Sequence, residues 1–501
     1  MTADETTPVL AGGGQAVQRD ATPDAALGPV ELMAAAARAA AEQAGVGARI
    51  FGSLDAVAVV DVAGWRPRNA PRLLADALCA KPSTELTTAL GGESALLAVN
   101  HVAEQIRAGR IRTALVAGTN NLRSFQRLHR AGRPIGWPAG GAGEPVRLGV
   151  DRAGSSPEEQ RYGLTAPVTI YPLFENALRA KRGLDLETHR SRMGALMHRM
   201  TKVAAANPYA WFPVERSAAQ LMTPGPDNRM VAFPYPKFVN AVIETDQAAA
   251  VLLVSASTAN ALGIAAPRRV HWWGGGEAIE EAWLPSERPS FAACDALRDA
   301  TLRALAQAGT ALDEIAAFDF YSCFPVAVEM ACEVLGLDET DPRGFTVTGG
   351  LPYFGGPGSN YSLHAVVSMA DRLREAPGAR GLVTGNGWYL TKHSATVLAS
   401  APRVSGAPSA LAPQRERTGP PVRPLAQAEG SARIETYTVV FSRDGAPERG
   451  VVVGRLDGGE RFLANTPGDL ATLEDLLSRE GVGRSGRVVF ESPMNVFRPE
   501  D

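Results

Sequence analysis

Four cysteines and seven histidines are the side chains here whose ordinary pKa values put nucleophilic or acid–base chemistry within reach of neutral pH. Cys323 is the foremost of them. It closes an apolar run, residues 318–322, in the string YSCF beside Tyr321 and Ser322, and a thiol at the end of a buried strand can be presented to an acyl group. The competing reading is a cysteine used as a small apolar core residue. His364 and His393 are the histidines placed to serve as a base, and each is equally compatible with a structural role. Their spacing fits no metal motif, so no metal is expected. Ser94 opens a helix with no histidine near it in sequence and reads as a helix cap.

A second constellation is made of glycine. Gly349 and Gly350, then Gly355, Gly356 and Gly358, form two tight turns that would let backbone approach a ligand closely, although turn chemistry alone explains them as well. Earlier, a strand gives way through Gly91-Gly92 to a helix with Ala95, Leu96, Val99, Val102 and Ile106 on its inner face. The free N–H groups at the start of that helix would favour a thiolate or an oxyanion.

These residues need a scaffold, and the pattern around them supplies one. Strands and helices alternate over residues 8–120, the grammar of βαβ units and a mostly parallel sheet. Residues 295–400 repeat it: EQAG leads to LDAVAVVDV in the first half and AQAG to LDEIAAFDF in the second. The halves are therefore drawn at 8–120 plus 236–270 and at 271–400. Between them, residues 121–235 are rich in Arg, Gly and Pro, with helices near 172–182 and 186–206, and predict an insertion domain outside the sheet. A Pro-rich linker spans 401–430. Residues 431–501 then alternate as strands, with hairpin turns at Asp444-Gly445 and Asp457-Gly458-Gly459, a short helix at 469–479 and one last strand at 487–497. This predicts a small all-β module resembling an oligonucleotide/oligosaccharide-binding (OB-like) barrel. Lacking a basic stripe, it reads as a packing lid.

A net charge of -3 over 501 residues excludes a general nucleic-acid binder. The cysteines show no C-x-x-C pairing, which suits a reducing compartment. The acidic start lacks the form of a signal peptide, and no apolar run is long enough to cross a bilayer, so a soluble cytoplasmic protein is expected. Only five of the 50 basic residues are lysine, which points to the codon bias of a GC-rich bacterial genome.

Five motifs then fall in one order. TTALGGESALLAVNHVAEQIRAGRIRTALVAGTNN resembles the thiolase segment in which C-x-S-G opens a helix that leads to V-x-A-G-G. FPYPKFVNAVIETDQAAAVLLVS resembles the strand bearing N-D-G-A-A-A, with Asp246 in the aspartate's place. DFYSCFPVAVEMACEVLGL resembles the N-E-A-F or H-D-C-F region, TGGLPYFGGPGSNYSLHAV the G-H-P loop, and GLVTGNGWYLTKHSATVL the final C-x-G-G-G turn. Over residues 8–400 the chain thus resembles the thiolase superfamily. It is closest to thiolase-like proteins with an added C-terminal β domain, related to the sterol-carrier-protein-associated thiolases. The resemblance implies an α/β, duplicated thiolase fold: αβαβα layers from two βαβ-based halves, an inserted loop domain and the small barrel. It further implies coenzyme A or an acyl-CoA as ligand with no tightly bound cofactor. Gly349, Gly350, Gly355 and Gly358 would line the pantetheine tunnel, and Lys237, Arg229 and Trp211 would meet the nucleotide. A homodimer follows from thiolases at large, a monomer from the closer group.

The departures bear on function. Gly92 stands at the nucleophilic Cys, Gly356 at the His of G-H-P, and Gly385 (or Asn386) at the second Cys. Glycine can neither form a thioester nor move a proton, so Claisen condensation or thiolysis through these positions is chemically excluded. The expectation is a thiolase-like protein that binds acyl-CoA without that chemistry. One alternative is an acyltransferase or thioesterase using Cys323, with Tyr321 and Ser322 in place of the His and Asp of H-D-C-F and His364 or His393 as base. Another is a scaffold partner of an active thiolase.

Overall fold

Two strands with the same glycine triplet organise the molecule. In Pro8–Val17, Gly12 and Gly14 face the alanine-rich helix Pro29–Gln43, and a Cβ at either would overlap the carbonyl of Ala40 or Ala36. In Val270–Ile279, Gly274 and Gly276 face helix Asp295–Ala308, where a Cβ would collide with the carbonyls of Ala304 and Ala300. Each helix therefore beds directly on strand backbone, a distance only glycine permits. The middle glycines face the other way and cross over: Gly13 meets Val367, and Gly275 meets Asn100.

The computed structural model describes residues 5–403 and 417–500. Ten strands form the main sheet, in the spatial order Ala317–Asp319, Arg380–Gly387, Lys392–Ala399, Val270–Ile279, Pro8–Val17, Asp246–Ser255, Thr113–Asn121, Ala56–Val59, Thr84–Thr88 and Val146–Leu148. The halves meet where Val9 and Leu10 pair with His271 and Val270. Outward from that seam both sides run antiparallel, antiparallel, parallel, which is the duplication expressed as topology. Helices Ser94–Arg107 and Tyr361–Arg374 touch strands of both halves and form the middle layer of an αβαβα stack, with Pro29–Gln43 and Asp295–Ala308 outside. None of the helices described is long and apolar enough to cross a membrane.

Among the described residues the sheet is mixed, with five antiparallel pairings to four parallel ones and not mostly parallel as expected, because the inner strands of each half run antiparallel. Three further departures from the sequence reading have physical causes. The insertion is not wholly outside the sheet: its Val146–Leu148 adds to the edge strand Thr84–Thr88 in parallel, too short to show a period. The expected last strand is two, Ser485–Glu491 and Met494–Pro499, paired antiparallel across a Ser492-Pro493 turn. Ser94 does not cap its helix; its hydroxyl donates to the Ala89 carbonyl at 2.6 Å. Of the linker, residues 404–416 lie outside the described residues.

The C-terminal module is a closed five-stranded barrel. Gly430–Phe441, Pro447–Leu456, Arg461–Asn465, Ser485–Glu491 and Met494–Pro499 close in the order 1-2-3-5-4-1, with helix Leu470–Ser478 between the third and fourth, which is OB topology. Val452, Phe462 and Ala464 fill its interior. Their alternates Val451, Val453 and Leu463 point outward into the core of the main body. Hence the second and third strands, the usual OB ligand face, are spent on docking. Buried Arg461 seals that contact. It pairs with Glu435 and donates to the backbone carbonyls of Ser286, at 3.0 Å, and Arg288. Insertion strand Met230–Ala232 also bridges to the barrel through Ala232 and Val440.

Candidate functional site

The turn between Thr84–Thr88 and Ser94–Arg107 is clamped from all sides. Gly91 N–H donates to Ser359 Oγ at 3.1 Å, and the Gly92 carbonyl accepts from Ser362 Oγ at 2.9 Å. Beneath it, Glu93 and Lys392 form a 2.7 Å ion pair whose side chains are 5% and 2% exposed. Lys392 also donates to the Leu90 carbonyl at 2.7 Å, tying the turn to the strand that carries it. Burial raises the Glu93 carboxyl above its usual range, and the Lys392 ammonium draws it back.

The space a side chain at 92 would need is taken. A Cβ on Gly92 would overlap the Tyr321 hydroxyl and lie 2.5 Å from the Asn386 carbonyl oxygen. Tyr321 is held by its N–H to Thr384 Oγ1, 3.0 Å, and by an edge-on contact with Tyr361 at 5.5 Å. Gly385 abuts the same turn: its Cβ would lie 2.8 Å from Glu93 Cα and 3.0 Å from the Gly92 carbonyl. Positions 92 and 385 are thus neighbours in space. Gly356 donates its N–H to the Val242 carbonyl at 2.7 Å, and a Cβ there would sit 3.2 Å from the same oxygen.

Cys323 lies close by but is quiescent. It is buried, and burial, partly offset by the neighbouring Tyr171 hydroxyl, pushes its thiol up to about 12. Asn386 Nδ2 stands 3.9 Å from its sulfur and 2.8 Å from the Tyr171 hydroxyl, which donates on to the Trp388 carbonyl at 2.9 Å. Tyr171 stacks on Phe324 at 4.4 Å, so aromatic rings close the space around the sulfur. Ser322 Oγ accepts from Leu351 N–H at 3.3 Å and so secures the first glycine turn.

The two histidines go elsewhere. His364 Nδ1 is 2.7 Å from Gln15 Oε1 and its ring stands edge-on to Phe354; His393 Nε2 is 3.3 Å from Cys294 Sγ. Burial holds both neutral, each near pKa 3. Cys294, which the sequence reading passed over, also reaches Glu280 Oε1 at 3.3 Å. The thiol and imidazole of this grouping are buried and the carboxylate is partly so, and desolvation raises the thiol well above its ordinary range. No sequence spacing joins Glu280, Cys294 and His393; a motif search could not have found them.

The glycine turns are packed against protein. Asp319 accepts from Val347 N–H, Thr348 N–H, the hydroxyls of Thr346 and Thr348, and Tyr361, and so fixes the approach to the first turn. Gly349 (φ +118°) abuts Ala204 of helix Leu186–Ala206, and Gly355 (φ +111°) abuts Gln247. Gly350 and Gly358 also have positive φ. Trp211 is buried, with Arg123 over its ring at 5.5 Å; Lys237 is exposed and half-buried Arg229 bonds the Met230 carbonyl. An open groove of about 730 Å³ lies between helix Leu186–Ala206 and the C-terminal half, lined in part by Lys202, Tyr209, Arg343 and Arg372 with Asp371 and Glu375. Gly92, Tyr321 and Cys323 are not among its walls.

Paired βαβ halves meeting at two apposed turns define a thiolase-like protein. Comparison with known proteins agrees and narrows it. The chain is similar to a monomeric SCP2-thiolase-like protein type 1 from Mycobacterium smegmatis, at 32% identity and TM-score 0.81 over 99% of each chain. The family model described as the thiolase-like protein type 1 additional C-terminal domain matches residues 414–491. The chain belongs to the SCP2-thiolase-like protein type 1 family. An Ltp2-ChsH2(DUF35) aldolase (17% identity, TM-score 0.59, 79% of this chain and 98% of that one) and an acetyl-CoA acetyltransferase from Syntrophomonas wolfei (16%, 0.55, 79% and 100%) share the fold. No curated protein matches.

Proposed function

We propose that this protein binds coenzyme A or an acyl-CoA and does not perform Claisen condensation or thiolysis. The observation that carries this reading is Tyr321 filling the space where a nucleophile at 92 would project. A thiol raised to about 12 and two histidines bonded elsewhere leave Cys323 without a base, so the acyl-transfer alternative has no geometric support. Support for the ligand comes from the thiolase fold, together with an open groove in which Lys202, Arg343 and Arg372 outnumber the acids Asp371 and Glu375, although Arg343 is also paired with Asp341. Four unpaired cysteines fit a cytoplasmic setting.

Calorimetry with coenzyme A and acetyl-CoA, run beside intact mass spectrometry, tests it. Saturable binding with an unmodified protein mass is the expected result. A covalent acyl adduct, or acetoacetyl-CoA cleavage by the purified protein, would refute the catalytic half; absence of binding would refute the ligand.

A further inference from the structure

Away from the glycine centre, three helices converge on a buried polar cluster with no part in the function proposed above. Glu175 comes from Pro167–Lys181, His189 from Leu186–Ala206 and Glu329 from Pro325–Leu335. One ligand atom from each lies within 4.8 Å of the other two, and none of the side chains is more than 1% exposed. His189 Nε2 is 2.6 Å from Glu175 Oε1 and 3.9 Å from Glu329 Oε2. The two carboxyls face each other within hydrogen-bond reach, and Glu329 Oε1 has no donor. Arg182 reaches Glu329 at 3.1 Å but is shared with Glu333 and Glu339; neighbouring Arg179 is committed to Glu480. Two buried carboxyl groups beside an imidazole, with Glu329 Oε1 and His189 Nδ1 both unpartnered, make a donor set that a compact cation would satisfy by displacing the proton the carboxyls share.

We propose that Glu175, His189 and Glu329 hold a divalent transition-metal ion, for which Zn²⁺ is the fitting probe. One imidazole nitrogen with carboxylate oxygens is a zinc-type donor set. No thiolate is present to select copper(I), and calcium would ask for about six or more oxygens. Tyr235 donates its hydroxyl to Glu175 Oε2 at 2.6 Å and so orients a ligand from behind. His189 also lines a cavity of about 380 Å³ beside the barrel helix, with Met193, Met222, Phe233 and Leu477, and with Arg179 and Arg190 in its wall. The ion would tie the insertion helices to the helix that begins just after Cys323.

Full-length protein stripped with chelator, given Zn²⁺ alone and desalted, is expected to retain about one zinc per chain by elemental analysis, with a raised Tm. His189→Gln and Glu329→Gln should each weaken zinc binding at least about tenfold, and Tyr235→Phe, which keeps the ring, about tenfold. Zinc far below one per chain with an unmoved Tm overturns the proposal. So does stoichiometric zinc that these variants leave unweakened. Should a ligand variant fail to fold, Tyr235→Phe carries the test.

Discussion

Gly92 and Tyr321 compete for one volume: the Cβ that glycine lacks would fall on the tyrosine hydroxyl. The bare glycine and the aromatic side chain are therefore a single steric arrangement, which fills the space between the two turns.

That arrangement predicts strong coupling. Gly92→Cys should destabilise the protein by about 1–3 kcal/mol through overpacking. In a Tyr321→Ala background the same change should cost less, with a coupling of about 0.5–3 kcal/mol in a denaturation cycle. Recovery will be partial because the Asn386 carbonyl stays 2.5 Å away. Additive effects would show that the two residues do not share space.

Thiol labelling tests the quiescence of Cys323. Cys79 is exposed while Cys294, Cys323 and Cys332 are buried, and burial pushes Cys323 up to about 12. A native protein treated with a thiol reagent at pH 8 should label rapidly at Cys79 alone, and Cys79→Ser should remove the fast phase. Rapid labelling of Cys323 would mean that its sulfur is both reachable and ionised, against the buried geometry.

Much of this was legible in the sequence, and the remainder was hidden for identifiable reasons. The turns at Gly92, Gly356 and Gly385 are visible because short motifs mark them locally. What fills the space beside Gly92 is not, because Tyr321 arrives from the other half of the duplication. The clearest repeat, AGGGQA against WGGGEA, passed unnoticed because glycine inside a strand reads as a turn, whereas Gly12, Gly14, Gly274 and Gly276 are where helices touch strand backbone. The barrel's first turns were visible as Asp-Gly pairs. Its orientation was not, since Val451 and Val453 look like any strand interior until Val452 is seen facing the opposite way.

Acid should expose the buried histidines. His364 titrates near 3 in the folded protein against an ordinary value of 6.5, because burial disfavours its charge. The unfolded chain therefore binds the proton first as pH falls below 6.5. The stability His364 lends is complete above that pH and is lost between 6.5 and about 3, by about 2 kcal/mol at pH 5. His364→Gln should flatten the fall in Tm between pH 7 and pH 5; an unchanged slope would mean that the imidazole is already charged when folded.

Barrel docking should depend on Arg461. Replacing it with Ala strands the carbonyls of Ser286 and Arg288 and removes one partner of Glu435, which keeps Arg455 at 2.9 Å. Because Glu435 keeps a partner and is partly exposed, the loss is mainly that of the stranded carbonyls, about 1–3 kcal/mol for each. Denaturant unfolding should register that loss, and limited proteolysis should release the barrel faster.

The sheet edges predict a solitary chain. Thiolases that pair edge to edge need an open strand, yet Thr84–Thr88 is covered by the chain's own Val146–Leu148, and the opposite edge, Ala317–Asp319, is three buried residues. Val146–Leu148 is itself only three residues long and carries an exposed arginine at its centre, both of which discourage further pairing. The barrel meanwhile uses its second and third strands on its own main body. Light scattering after size exclusion should therefore report about the 52.7 kDa of one chain across a wide concentration range. A mass twice that at low micromolar concentration would require an interface other than the sheet edges.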